Sequence, residues 1–412
     1  MQEMYEKYAK VLLEKGVNLK KGQPLLITAP VEAIEFLRVL GSLAYKMGSK
    51  DVYFDFEDEY LKKEILETYD VKELENTQFY NKKIFDEYSK KNAAFLMLTA
   101  NDSDTMENVD NEKLSASAKI LRTSKPIYKK MQKNGELAWC IASVATKSWA
   151  NKLFPNDKKS LEKLWDIIFK CCLIDSNDPI KSWNEKLSLL EAKSNILNQL
   201  NLKELHYTNE LVTDLKISLS NNRIWTSGYE ELKDGRCYVA NIPTEEVFTT
   251  PNKFGTNGVV YAAKPLVYNG GLIEDMKITF KDGKVVEAVS KSNQKLLDSI
   301  INSHENMDYL GEIALVDYDS KISNSNIVFY ETLYDENAAC HLALGSGFKT
   351  CIKDGTNLSD NELEEIGFNS SDGHVDFMIG TKDLKITGIT YDDEEIEIFE
   401  NGNFSKKIIK TM

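Results

Sequence analysis

Histidine is rare in this chain, four among 412 residues, so any imidazole chemistry falls to His206, His304, His341 or His374. His374 opens the run His374-Val375-Asp376-Phe377-Met378, where a period of two sends His374 and Asp376 to one face of a strand and Val375 and Phe377 to the other. An imidazole beside a carboxylate suits a metal ion, and the plainer alternative is a hydrogen-bonded pair at a strand edge. His341 lies in Asp335-Glu336-Asn337-Ala338-Ala339-Cys340-His341-Leu342-Ala343-Leu344-Gly345, which reads as a helix with Asp335 as N-cap and Gly345 as its stop. Glu336 precedes His341 by about 140° around a regular helix, so the two are not the same-face pair of a helical zinc motif. Taken alone, His341 also fits a satisfied core histidine.

Two carboxylates stand where a carboxylate needs a reason. Asn241-Ile242-Pro243-Thr244-Glu245-Glu246-Val247-Phe248 ends a strand with proline and leaves Glu246 ahead of an apolar pair, and loops at strand ends collect site residues. Tyr309-Leu310-Gly311-Glu312-Ile313-Ala314-Leu315-Val316 puts Glu312 in an otherwise apolar strand, where burial without a partner costs several kcal/mol and a nearby cation removes that cost. An exposed charge or a local ion pair is the alternative for each. His206, in a β-type run, and His304, in a polar loop, take no role.

The elements that must carry these residues fall into two textures. Up to about residue 201 helical periods alternate with short apolar runs: strands are expected at Pro24–Thr28, around Val52, Phe54 and Phe56, at Ala93–Leu98 and at Ala138–Val144. A helix between the first two suggests a right-handed parallel crossover. Residues 145–201 read as helical, with Trp149, Trp165 and Trp183 as core anchors. After residue 204 the pattern turns to β, including a hairpin closed by Asp282-Gly283. The fold class is α/β: an N-terminal α/β domain with parallel-type crossovers, 1–205, and a C-terminal mixed α+β domain, 206–412, carrying the site.

Composition excludes other classes. The net charge is −14, and only four arginines accompany the lysines, which argues against a nucleic-acid surface. The six cysteines show no paired spacing and read as reduced thiols. No apolar run reaches the length of a membrane span and no signal segment opens the sequence, so a cytoplasmic location is expected.

Jointly, the segments NIPTEEVFTTP, AAKPLVYNGGLIE, YLGEIALV, TLYDENAACHLALG and HVDFMIG resemble the M29 family of metallo-aminopeptidases, the aminopeptidase T and S group, and the likeness runs over nearly the whole chain. The resemblance implies a site for two divalent ions, Zn, Co or Mn, at Glu246, Glu312, Glu336, His341, His374 and Asp376, with Glu312 as the bridge. It implies hydrolysis of the N-terminal residue from oligopeptides by a metal-activated water, with Glu312 or Glu336 as proton acceptor. It further implies peptide substrates with a free N-terminus, broad first-residue specificity and a homodimer, with Cys340 as a packing residue.

Two positions depart from the family pattern. Phe348 stands where the family usually carries Tyr, and loses a hydroxyl whose kind can be worth about 10²- to 10³-fold in turnover. Val212 replaces a usual Gly. All six expected metal positions keep ligand-type side chains, which favours an active or weakened enzyme over an inactive paralogue that binds peptide ends. A nucleotide-binding α/β enzyme is the other alternative, but the N-terminal half lacks GxGxxG and GxxxxGK[ST], and Gly345-Ser346-Gly347 follows an expected helix and lacks the phosphate-loop Lys-Ser/Thr ending.

Overall fold

The computed structural model describes residues 1–77, 79–100, 103–106, 109–268 and 271–410. Asn269 and Gly270, inside the AAKPLVYNGGLIE segment, lie outside the described residues. The chain forms two compact units, the first from 1–185 and 229–243, the second from 186–228 and 244–412.

The first unit is built on a five-stranded parallel sheet. Its order is Asn241–Ile242, Trp139–Ser143, Ala94–Thr99, Leu25–Pro30, Val52–Glu57. The helix Ile34–Lys46 connects the first two strands in sequence, as its apolar spacing predicts, and buries Phe36, Leu37, Leu40 and Ala44. Asp58 caps the next helix, Glu59–Thr68, by accepting from the N–H groups of Tyr60 and Leu61. Trp149, Trp165 and Trp183 are all buried, and Trp183 Nε1 donates to the Cys172 carbonyl at 2.8 Å.

The chain passes to the second unit at Lys186, inside the Pro179–Gln199 helix rather than near 205, and later returns 229–243 to the first. The return has a simple cause. Asn241 and Ile242 pair in parallel with Ile141 and Ala142, so a segment with β texture completes the α/β sheet rather than the antiparallel one.

The second unit holds two larger antiparallel sheets. One has eight strands, running from Lys284–Val289 at one edge through Pro251–Tyr261 and Leu202–Thr208 to Asn403–Phe404 at the other. Its Lys277–Lys281 and Lys284–Val289 hairpin closes on Asp282 and Gly283, both at positive φ, as the Asp-Gly pair predicts. The other has five strands, in the order His374–Met378, His341–Gly345, Leu310–Leu315, Val247–Thr249, Thr226–Ser227. Leu205, Leu215, Ile278 and Phe399 of the large sheet and Ile313, Leu315, Leu342, Leu344, Val375 and Phe377 of the smaller one share one buried core. Alternation along the smaller sheet therefore turns Glu312, His341, Ala343, His374 and Asp376 to its opposite face.

Here one expectation is corrected. His341 is not in a helix: the helix is only Thr332–Glu336, and His341 begins the strand His341–Gly345. Nor is Asp335 an N-cap. It is a buried residue near the end of that helix whose carboxylate accepts from the N–H groups of Phe329 and Glu331. Pairing on both sides, with Leu310–Leu315 and with His374–Met378, overrides the helical preference of an Ala- and Leu-rich run.

Candidate metal centre

Register brings the candidate residues together. Ala343 stands opposite Glu312 on one side and Asp376 on the other, and His341 stands opposite Ala314 and Met378. The methyl group of Ala343 between two carboxylate-bearing neighbours keeps the middle of this face low. Glu246, just before Val247–Thr249, approaches from the next strand, and its Oε2 lies 3.2 Å from His341 Nε2. On the other side, His374 Nε2 lies 3.0 Å from Glu312 Oε2 and 3.2 Å from Asp376 Oδ1.

These contacts form two donor groups. Glu246, Glu312 and His341 offer ligand atoms within 4.8 Å of one another, and so do Glu312, His374 and Asp376, with Glu312 common to both. Glu336, the last residue of its helix, belongs to neither group, although its charge interacts with Asp376, Glu246, His341 and Glu312.

Both imidazoles are oriented by backbone carbonyls. His341 Nδ1 lies 3.0 Å from the Glu336 carbonyl and 3.2 Å from that of Ala339, and His374 Nδ1 lies 2.7 Å from the Ser346 carbonyl. Donation from each Nδ1 fixes the tautomer that leaves Nε2 as a lone-pair donor toward the cluster, the arrangement of metal-ligating histidines. The Ser346 carbonyl reaches His374 because the backbone approaches closely there. Gly345 has φ +98°, and a Cβ on Gly311 would meet the Gly345 carbonyl oxygen at 2.3 Å.

Electrostatics favour a cation at this place. Burial lifts the Glu312 carboxyl against the pull of His374, and burial together with Asp376 and Glu246 lifts Glu336 well above the usual carboxylate range. Burial also works against Asp376, yet the His374 imidazole holds it below its ordinary value. Burial alone would lower His341, but the hydrogen bond and charge of Glu246 outweigh it and push the imidazole up to about 10. His374 rises as well, since Asp376 and Glu312 outweigh its burial. In the chain alone the two imidazoles thus serve as counter-cations for the acids. Asp376 Oδ1 is buried with His374 Nε2 3.2 Å away, so the donor set offers a buried carboxylate oxygen as well as two aimed Nε2 atoms. Oxygen and imidazole donors without thiolate fit Zn, Co or Mn.

Around the cluster, Phe348 sets its ring 5.1 Å from that of His374 and 5.4 Å from that of Phe248, edge to face with the latter. Phe248 was not singled out in the sequence. Its place two residues after Glu246, on the same side of a strand, is the signal that finds it. Cys340 is buried and its sulfur bonds to both the N–H and the carbonyl of Val316 at 3.3 Å, which makes it a packing residue; burial pushes its thiol up to about 12. His206 pairs with Asp214 on the large sheet. No helix among the described residues is long and apolar enough to cross a membrane.

A sheet face with two adjoining carboxylate and imidazole donor groups that share one glutamate defines the class of protein as a metalloenzyme. The family model for thermophilic metalloproteases (M29) matches residues 1–404, and the chain belongs to that family. It is 37% identical over 407 residues to aminopeptidase PepS of Streptococcus thermophilus, covering 98% of each chain. It is 36% identical over 400 residues to aminopeptidase AmpS of Bacillus subtilis (strain 168), covering 97% of each. Among solved structures, wild-type AmpT from Thermus thermophilus superposes with a TM-score of 0.91 at 29% identity, over 97% of this chain and 98% of that one.

Proposed function

We propose that the chain is a metal-dependent aminopeptidase that removes the N-terminal residue from oligopeptides at a site for two divalent ions. The sharing of Glu312 between two donor groups carries this reading, because a bridging carboxylate is what holds two cations side by side. Glu246, Glu312 and His341 would hold one ion, and Glu312, His374 and Asp376 the other. Ions so placed supply Lewis acidity toward the scissile carbonyl and make water acidic enough to deprotonate near neutral pH.

The chain's own residues do the rest. Glu336 adjoins both groups without belonging to either, so its carboxylate is the proton acceptor for the attacking water and the donor to the leaving amine; Glu312, committed to both groups, is the poorer base. A free α-amine, which in its neutral form can bind a divalent ion, would register the substrate end at this site and restrict cleavage to chain ends. Phe248 and Phe348 offer an apolar flank with no side-chain hydrogen-bonding group, so the first residue is discriminated by size and apolarity, and specificity is broad. By the family resemblance the enzyme acts in the cytoplasm as a homodimer.

The test is hydrolysis of leucine and arginine chromogenic amides by chelator-stripped protein, with Co²⁺, Zn²⁺ or Mn²⁺ restored and an N-acetylated amide as control. Activity that returns with metal and is absent on the acetylated amide supports the reading. Phe348 favours one other reading, a paralogue that binds peptide ends without cleaving them. That reading predicts metal uptake with no turnover of any amide.

A further inference from the structure

Two of the six site residues reach the cluster from outside the strands. Glu246 ends the loop before Val247–Thr249, and Glu336 ends the helix Thr332–Glu336. Asn337, wholly buried, joins them. Its Oδ1 accepts the N–H of Glu245 at 2.8 Å, while its Nδ2 donates to the Leu333 carbonyl at 2.9 Å and to Glu336 Oε1 at 3.4 Å. Only one orientation of this amide works. Turned over, it would set an oxygen against two acceptors and an N–H against a donor.

The other side of the loop is anchored as well. The Glu245 carboxylate forms a largely buried ion pair with Lys186, so the first glutamate of Thr244-Glu245-Glu246 is tied away while the second meets His341. The loop thus has its side chain fixed by Lys186 and its backbone fixed by Asn337.

We propose that Asn337 is a positioning residue: by holding the Glu245 backbone and the Glu336 carboxylate with one amide, it sets the place of the ligand Glu246 and of the Glu336 charge beside both donor groups, and thereby the affinity of the site for divalent ions. The proposal rests on the metal-site reading above. Asn337 itself touches neither metal nor substrate, and acts through its two neighbours. Partners of this kind are worth about 10- to 100-fold in metal affinity.

The test uses the full-length chain, stripped of metal, as wild type, Asn337→Asp and Asn337→Ala, with Leu297→Ala as a core truncation in the same unit. Asn337→Asp keeps the acceptor for Glu245 and loses the donor to Glu336; its nearly identical shape keeps the test open where the alanine variant does not fold. Co²⁺ is titrated in by its visible absorption and Zn²⁺ by chelator competition, and thermal unfolding is followed on the same metal-free samples. The expected result is affinity weakened by about 10- to 100-fold in the Asn337 variants, with a displaced Co²⁺ band, and wild-type affinity in Leu297→Ala at a lowered Tm. Wild-type affinity and band position in folded Asn337→Asp overturn the proposal and leave the metal site standing. A wild-type chain that takes up no divalent ion overturns the metal-site reading and this inference with it.

Discussion

Glu312 Oε2 lies 3.0 Å from His374 Nε2, although the two residues are on strands separated by the His341–Gly345 strand. Their side chains meet over Ala343, whose register partners are Glu312 and Asp376. Glu312 is therefore the residue on which both donor groups depend.

Glu312→Gln is expected to reduce bound metal in both groups, while Asp376→Asn reduces it in one. Elemental analysis of reconstituted protein checks this: the first variant falls below one ion per chain and the second retains about one, with turnover of the first down by at least about 10²-fold. Equal metal content in the two variants would contradict a shared Glu312.

Metal affinity is expected to rise with pH. The folded, metal-free chain holds the His341 proton up to about pH 10, well above the ordinary imidazole value near 6.5, and an ion must displace that proton to use Nε2. The sign for the metal-free fold is the reverse. A raised imidazole contributes stability that is whole below about pH 6.5 and is lost as pH climbs through about 10. Chelator competition at pH 6.5, 7.5 and 8.5 should show tightening of up to about tenfold per pH unit for each proton displaced, and a flat profile would count against protonated imidazoles.

Phe348→Tyr is expected to raise kcat more than it changes KM. The ring already lies against His374, so the added hydroxyl places a donor at the cluster without moving the aromatic wall. Oxyanion donors are worth about 10²- to 10³-fold, which sets the upper range of the gain. Steady-state kinetics on a leucine amide decide it: an unchanged kcat means that the hydroxyl has no part in turnover here.

In the first unit, Lys125 sets its Nζ 3.2 Å from the Phe85 ring centroid, and burial lowers its amine to about 8 despite Asp55 and Glu57 nearby. Unfolded, the amine titrates near 10.4, so between those values the unfolded chain holds a proton that the folded chain has released. The penalty is complete below about pH 8 and is relieved toward about pH 10.4, so this group makes stability rise with pH in that window. Denaturant midpoints of wild type and Lys125→Met at pH 7.5 and 9.5 measure it. The rise attributable to Lys125 is the part that the variant lacks, and identical slopes would remove the effect.

Much of the site was legible in the chain because its signals are local. A carboxylate alone among apolar strand residues at Glu312, and the alternation of His374 and Asp376 with Val375 and Phe377, need only a period of two to be read. The Asp282-Gly283 turn and the buried tryptophans were equally plain. The run around His341 reads as helical because it is rich in Ala and Leu, whereas the strand it forms has partners on both sides and is held by hydrogen bonds that no single segment displays.

The sequence by itself determined which side chains are of ligand type and, for Glu312, His374 and Asp376, which face of the strand they take, since side-chain type and alternation are properties of consecutive residues. Tertiary structure decided that Asn241–Ile242 joins the parallel sheet, that Ala343 sits between Glu312 and Asp376, and that Asn337 ties Glu245 to Glu336. Those relationships depend on register and strand order. They are fixed only when distant segments pair and bury a common core, and that selection is made by the folded chain as a whole.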